Sequence, residues 1–204
     1  MDFNILILFV VTSISLTLSP GPDILYVLSQ SLSNGFKSGF SVSLGLVSGL
    51  FFHTAFISLG FGFLISEYPN IFKLIKYFGA LYLIFIAVNL FIKNNKIKVI
   101  KKKQNTLLEN YSTGIVMNII NPKVSLFFLS IFPLFLFDKT LNVQIQFFVL
   151  GIIFIIQATF VFSLVSLFSS YIGENFFSKK TNIFFKYFQS SVLVIIAVLL
   201  FYVE

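Results

Sequence analysis

Cysteine is absent from this sequence, arginine is absent, and histidine occurs once, at His53. Without cysteine there are no disulfides and no thiol relay, so a thiol-based electron carrier on a helical scaffold is excluded. One histidine and no thiol leave no second soft ligand for a metal site, and no serine lies in a recognisable nucleophile motif. An intramembrane serine protease would have only His53 as its base, so the chain reads as no enzyme, with no metal and no cofactor. Charge is scarce as well: 10% of the 204 residues are charged, against 57% hydrophobic. The net charge of +7 comes entirely from lysines, fourteen of them. Their placement reads as membrane topology and makes no case for nucleic acid.

What is present in quantity is apolar length. A bilayer core takes about 20 mostly apolar residues, and residues 38–66 and 140–173 are uncharged beyond that length. Six transmembrane spans are predicted, at about 3–32, 38–66, 71–92, 111–137, 142–172 and 183–203. A five-span arrangement, with one apolar segment lying in the interface, stays open. The first run follows Met1-Asp2 without the basic stretch of a signal peptide, so it is read as a mature helix.

The segment Lys93 to Lys103 holds six lysines and no acid, which marks it as cytoplasmic. Counting spans from it puts both termini outside. Ten lysines, including Lys37, Lys179, Lys180 and Lys186, then lie inside, against Lys73, Lys76 and Lys139 outside. The same loop divides the chain into residues 1–92, a basic loop 93–110 and residues 111–204. Each half has three spans and opens with one that proline interrupts. Because three is odd, the second half would enter the membrane in the opposite sense, the inverted-repeat plan of many secondary transporters.

The interruptions carry the chemistry. Ser19-Pro20-Gly21-Pro22-Asp23 cannot continue a helix, and a new half-helix is expected to start there with Asp23 in its first turn, where the dipole favours a carboxylate. In the fourth span Asn121 is a good N-cap and Pro122 a good first residue, followed by Lys123. Pro22-Asp23 and Pro122-Lys123 are offset by the same 100 residues. A charge at membrane depth costs roughly 2.5 to 3.5 kcal/mol on insertion scales. Asp23 and Lys123 are therefore expected to face inward, either as a salt bridge locking the halves or as the bounds of a polar cavity. In the second reading Asp23 takes the ammonium and Lys123 the carboxylate of a zwitterion, with Gly21, Pro22, Asn121 and Pro122 shaping the site. Ser41, Gly45, Gly49 and His53 share one face of the second span, fit for close helix packing. His53 is either a packed, hydrogen-bonded imidazole or a proton relay, and Gln157 is expected to bond across helices, with contact to substrate as the alternative.

At these residues the sequence resembles the lysine-exporter and homoserine/threonine-efflux (LysE/RhtB) family. The motifs are Ser19 to Asp23, Ser31-Leu32, Gly35, the run Gly39, Gly45, Gly49, His53, and Asn121-Pro122-Lys123 with Leu126 to Leu129, in that order along nearly the whole chain. Two positions depart: Leu134 follows Phe132-Pro133 where the family often has Gln, and Ala87 stands where a second glycine is common. The resemblance implies a multi-pass exporter of amino acids or close derivatives in the cytoplasmic (inner) membrane, driven by an ion gradient, with a proton as the expected coupling ion. A homodimer is left open. The alternatives are an exporter of another small solute or ion on the same fold and a non-transporting membrane scaffold.

Overall fold

The computed structural model describes residues 2–19, 21–61, 69–92, 105–172, 187, 190–195 and 197–198. The basic segment Lys93 to Lys103, Lys179, Lys180, Lys186, Pro20 and most of the sixth predicted span lie outside the described residues. Among the described residues all regular structure is helical: α1 (Phe3–Leu18), α2 (Pro22–Asn34), α3 (Phe36–Phe56), α4 (Pro69–Ile92), α5 (Leu107–Ile119), α6 (Pro122–Ser130) and α7 (Val143–Ile172). A π-helical turn, Ile57–Phe61, extends α3, and a 3-10 turn, Phe132–Phe135, follows α6.

Local chemistry sets the boundaries. Asp2 caps α1 by accepting from the Asn4 amide at 2.9 Å. Gly35, at φ 80°, reverses the chain between α2 and α3, a conformation that a side chain would strain. Thr106 and Glu109 form a reciprocal capping box at the start of α5. Beyond α6, the Gln146 side chain holds the turn into α7, accepting from the Phe137 and Asp138 amides and donating to the Asp138 and Leu141 carbonyls. In the same turn the Thr140 hydroxyl, 2.6 Å from Asp138, is the chief reason that the Asp138 carboxyl is held below the usual carboxylate range.

Phe36–Gly60 and Val143–Tyr171 are each long and apolar enough to cross a membrane. Two further crossings are available if α1 with α2, bent by 59°, and α5 with α6, bent by 47°, each count as one. The chain is thus an all-helical membrane protein with two to four candidate spans among the described residues. Its surface agrees: Phe78, Phe85, Ile92, Ile120, Ile156 and Phe160 are all more than 60% exposed, which lipid tolerates and water does not.

Helix directions follow from the contacts. Ser41 donates to the Leu107 carbonyl and His53 meets the Asn118 carbonyl, so α3 runs parallel to α5. Ser43 pairs with Ser166 while Thr54 lies against Gly151, so α3 runs antiparallel to α7. Asp2 donates to the Phe137 carbonyl and Lys123 reaches the Leu16 carbonyl, which lays α1 antiparallel to the α6 segment. Tyr26 meets Asn110, placing α2 beside α5. Ser190 donates to the Ala87 carbonyl and Phe91 stacks edge-on against Tyr187, so α4 lies antiparallel to the described C-terminal residues.

The α3 face predicted to pack closely does so against α5. Gly45 and Gly114 meet backbone to backbone, and a Cβ on either would overlap a main-chain carbonyl of the other helix, Tyr111 or Val42.

Candidate functional site

The bends in the two helix pairs meet at one place. α1 ends at Leu18, Gly21 is the N-cap of α2, and Pro22 is its first residue, so Asp23 falls in the first turn, near the positive dipole end. α5 ends at Ile119, and the Asn121 side chain accepts from the Lys123 amide at 3.1 Å, starting α6 with Pro122 as its first residue.

Asp23 and Lys123, 3% and 4% exposed, form an ion pair with Nζ–Oδ2 at 3.2 Å and Nζ–Oδ1 at 3.4 Å. Lys123 Nζ also donates to the Ser19 carbonyl at 2.9 Å and the Leu16 carbonyl at 3.4 Å. Both carbonyls lie at the C-terminal end of α1, where the Leu16 carbonyl also accepts from the Ser19 amide at 3.1 Å, so the cation neutralises the negative end of that helix. Lys123 itself occupies the positive end of α6, an unfavourable place; the α1 carbonyls and Asp23 offset it. Gly21 leaves the room this needs, because a Cβ there would come 2.5 Å from Asp23 Oδ1 and 3.0 Å from Lys123 Nζ.

A small cavity adjoins the pair. It holds about 10 Å³ of water-sized free space, roughly one water molecule. Leu16, Thr17, Asp23, Leu50, Asn118, Lys123, Val124, Phe154 and Phe162 line it. Around it, Ser19 Oγ, Asn118 Oδ1, Asn121 Nδ2 and Gln157 Oε1 are buried with no hydrogen-bond partner. Buried polar atoms are seldom left so, because each lost bond costs roughly 1 to 3 kcal/mol.

The other predicted residues take different places. His53 is buried, its Nε2 3.2 Å from the Asn118 carbonyl and its ring beside Phe52 and Phe128, the packed and hydrogen-bonded arrangement. Gly45 packs on α5, and Gly49 packs on the Asn118 side chain. Gln157 donates across helices to Thr17 Oγ1 at 3.0 Å. Asn118 and Thr17 were not marked from the sequence as lining residues. The available signal for Asn118 was its place three residues before Asn121, on the last turn ahead of the break.

The two flanks of the pair differ. Toward the start of α1, the rings of Phe9, Phe127, Phe128, Phe132, Phe135 and Phe154 pack with centroid separations of 4.2 to 6.4 Å. Toward the start of α5, Tyr26 bonds Asn110 at 3.4 Å and Asn105 at 3.2 Å, a thin polar contact between α2 and α5.

The family model described as LysE type translocator matches residues 14–204. The chain belongs to that family. It is therefore a membrane transporter and not an enzyme. This translocator is 29% identical over 156 residues to an uncharacterized membrane protein of Vibrio cholerae, with 74% of each chain covered. It is 28% identical over 158 residues to a homoserine/homoserine lactone efflux protein of Salmonella typhimurium, again with 74% of each covered. No solved structure matches the translocator significantly.

Proposed function

We propose that this chain exports an amino acid or close derivative across the cytoplasmic membrane, binding the zwitterion between Asp23 and Lys123. The observation that carries the reading is a fully buried ion pair at the meeting point of two helix breaks, ringed by unpartnered polar atoms. A buried pair that only locked two helices together would contribute little over apolar packing. Unpartnered amides beside it would weaken the protein further. A ligand with an ammonium, a carboxylate and further hydrogen-bonding capacity answers both points. The family match and the efflux relative support the same substrate class.

In this reading α1 with α2, α3 and α4 form one half, residues 1–92, and α5 with α6, α7 and the C-terminal segment form an inverted half, residues 111–204, joined by the basic loop 93–110. The antiparallel contacts of α1 with α6, α3 with α7 and α4 with Tyr187 and Ser190 support that arrangement, since corresponding spans of inverted repeats run in opposite senses. A cavity for one water is far below the roughly 300 Å³ at which small-molecule sites begin. The substrate must therefore part the helices, and the aromatic and polar flanks are the two gates of alternating access. The polar gate faces the cytoplasm in the orientation set by the lysines. A reporter fused after Lys103 should be active in the cytoplasm and silent outside; the converse would reverse the gates.

The drive is an ion gradient, a proton being the ion we assign. The test uses inside-out vesicles, a panel of labelled amino acids and an imposed proton gradient. Uptake of at least one amino acid that stops when the gradient is collapsed is expected. Uptake of none contradicts the reading and favours another small solute on the same fold.

A further inference from the structure

The seam between α2 and α5 runs from the ion pair toward the basic loop. Asp23 lies at its inner end, and Tyr26 follows one turn later on α2. On α5, Asn110, Gly114 and Asn118 are buried at four-residue spacing and so share one face. Asn118 lines the cavity beside Asp23 and Lys123. Asn110 lies about 12 Å from it along the helix, toward the loop. We propose that substrate from the cytoplasm reaches the Asp23–Lys123 pair along this seam, and that Tyr26, Asn105 and Asn110 form the latch that closes it. The inference rests on the export reading, with the pair as the destination, and adds the route.

Asn110 is fully buried yet poorly bonded. Its Oδ1 accepts from the Tyr26 hydroxyl at 3.4 Å and from Asn105 Nδ2 at 3.5 Å, and Asn105 Nδ2 also donates to the Tyr26 hydroxyl oxygen at 3.2 Å. Those separations lie at or beyond the usual limit for such bonds. Asn110 Nδ2, in a residue at 0% exposure, has no partner. A buried donor left unmade is unfavourable, so the closed cluster gives up little when it opens. A zwitterion entering the seam offers a carboxylate to Nδ2 and an ammonium to Oδ1.

The other wall of the seam is fixed. α5 is held to α3 by the Gly45–Gly114 backbone contact, by the Ser48 and Tyr111 hydroxyls 2.9 Å apart, by Ser41 on the Leu107 carbonyl and by His53 on the Asn118 carbonyl. Among the described residues, the side-chain bonds between α2 and the start of α5 all run through Tyr26. α2 in turn packs against α3 where a Cβ on Gly39 would come 1.7 Å from Ser31 Oγ. Opening the seam therefore needs α2 to turn on α3 and to break the long bonds of the latch, while α3 and α5 stay together.

The sequence has no cysteine, so a single introduced thiol reports its own position. The experiment follows modification of Asn110→Cys and, at the inner end of the route, Asn118→Cys by a membrane-impermeant, positively charged methanethiosulfonate in inside-out and right-side-out vesicles. Ala80→Cys, equally buried on α4, is the control. Rates are normalised to the thiols that titrate after denaturation, and either route variant carries the test if the other fails to insert. From the cytoplasmic face the route thiols should react on the order of tenfold faster than the control, through an open state of small population. From the outer face they should react no faster than the control. Tyr26→Phe keeps the ring and removes the latch hydroxyl, so it should speed the cytoplasmic reaction about fivefold. Route thiols no more reactive than Ala80→Cys from the cytoplasmic face, or rates unmoved by Tyr26→Phe, would overturn the proposal. The labelling needs no substrate, which separates the two failures: amino-acid uptake by the parent with unreactive route thiols would overturn the route alone, and reactive thiols without amino-acid uptake would overturn the export reading on which it rests.

Discussion

Replacing Asp23 by Asn, or Lys123 by Gln, is expected to lower export by a hundredfold or more, and the two variants should differ in how well they insert. Each change leaves the other charge buried, a loss of about 3 to 5 kcal/mol when nothing else compensates. Compensation is unequal. In Asp23→Asn the lysine keeps the Ser19 and Leu16 carbonyls, at 2.9 and 3.4 Å. In Lys123→Gln the carboxylate keeps only the start of α2, where the dipole contributes at most about 2 kcal/mol. Asp23→Asn should therefore reach the membrane at near-parental level and fail in transport, whereas Lys123→Gln should be depleted as well as inactive. Quantitative blotting of membranes beside the export assay checks this. Equal depletion of both would show that the α1 carbonyls do not hold the lysine.

The largest effect on folding is expected at the contact of α3 with α5. Gly45→Leu and Gly114→Leu each place a side chain where the facing helix has backbone, the Tyr111 carbonyl in one case and the Val42 carbonyl in the other. A flexible side chain could move aside; a helix backbone cannot do so without separating the two helices. Overpacking a close interface typically costs 1 to 3 kcal/mol, and here the Ser41 to Leu107 and His53 to Asn118 bonds would be stretched with it. Little folded protein should remain in the membrane, measured by detergent-resistant monodispersity after extraction. Gly60→Ala is the control, since a Cβ there meets nothing within 4 Å among the described residues. Parental behaviour of Gly45→Leu would show that α3 and α5 are not so closely apposed.

The sequence marks some of this arrangement more clearly than the rest. Asp23 and Lys123 stand out because charges deep in apolar runs are rare, and proline beside each announces a helix start. The glycine stripe of α3 is visible from its spacing, but its partner is not: Gly114 has no periodic companion on α5 and gains meaning only from the packing. Asn118 is harder still. An asparagine near a helix end reads as a cap, and its role at the cavity depends on Gly49, 69 residues earlier in the chain, leaving its amide room. Phe127, Phe128 and Phe132 fall within motifs, but with 30 phenylalanines in the sequence nothing distinguishes Phe9, Phe135 and Phe154, which pack with them, from those that face lipid. Side-chain position around a helix bend is set by the bend angle, which proline permits without specifying.

The most direct measurement on the binding role of the pair is export by the charge-swapped protein, Asp23→Lys with Lys123→Asp, beside the two single variants. The swap keeps two opposite charges in contact, so insertion should recover relative to Lys123→Gln. It also presents the zwitterion with its ends reversed and takes the cation away from the α1 carbonyls, so transport should stay at least about a hundredfold below the parent. Full export by the swapped protein would contradict the assignment, leaving Asp23 and Lys123 as a structural salt bridge and placing the substrate elsewhere.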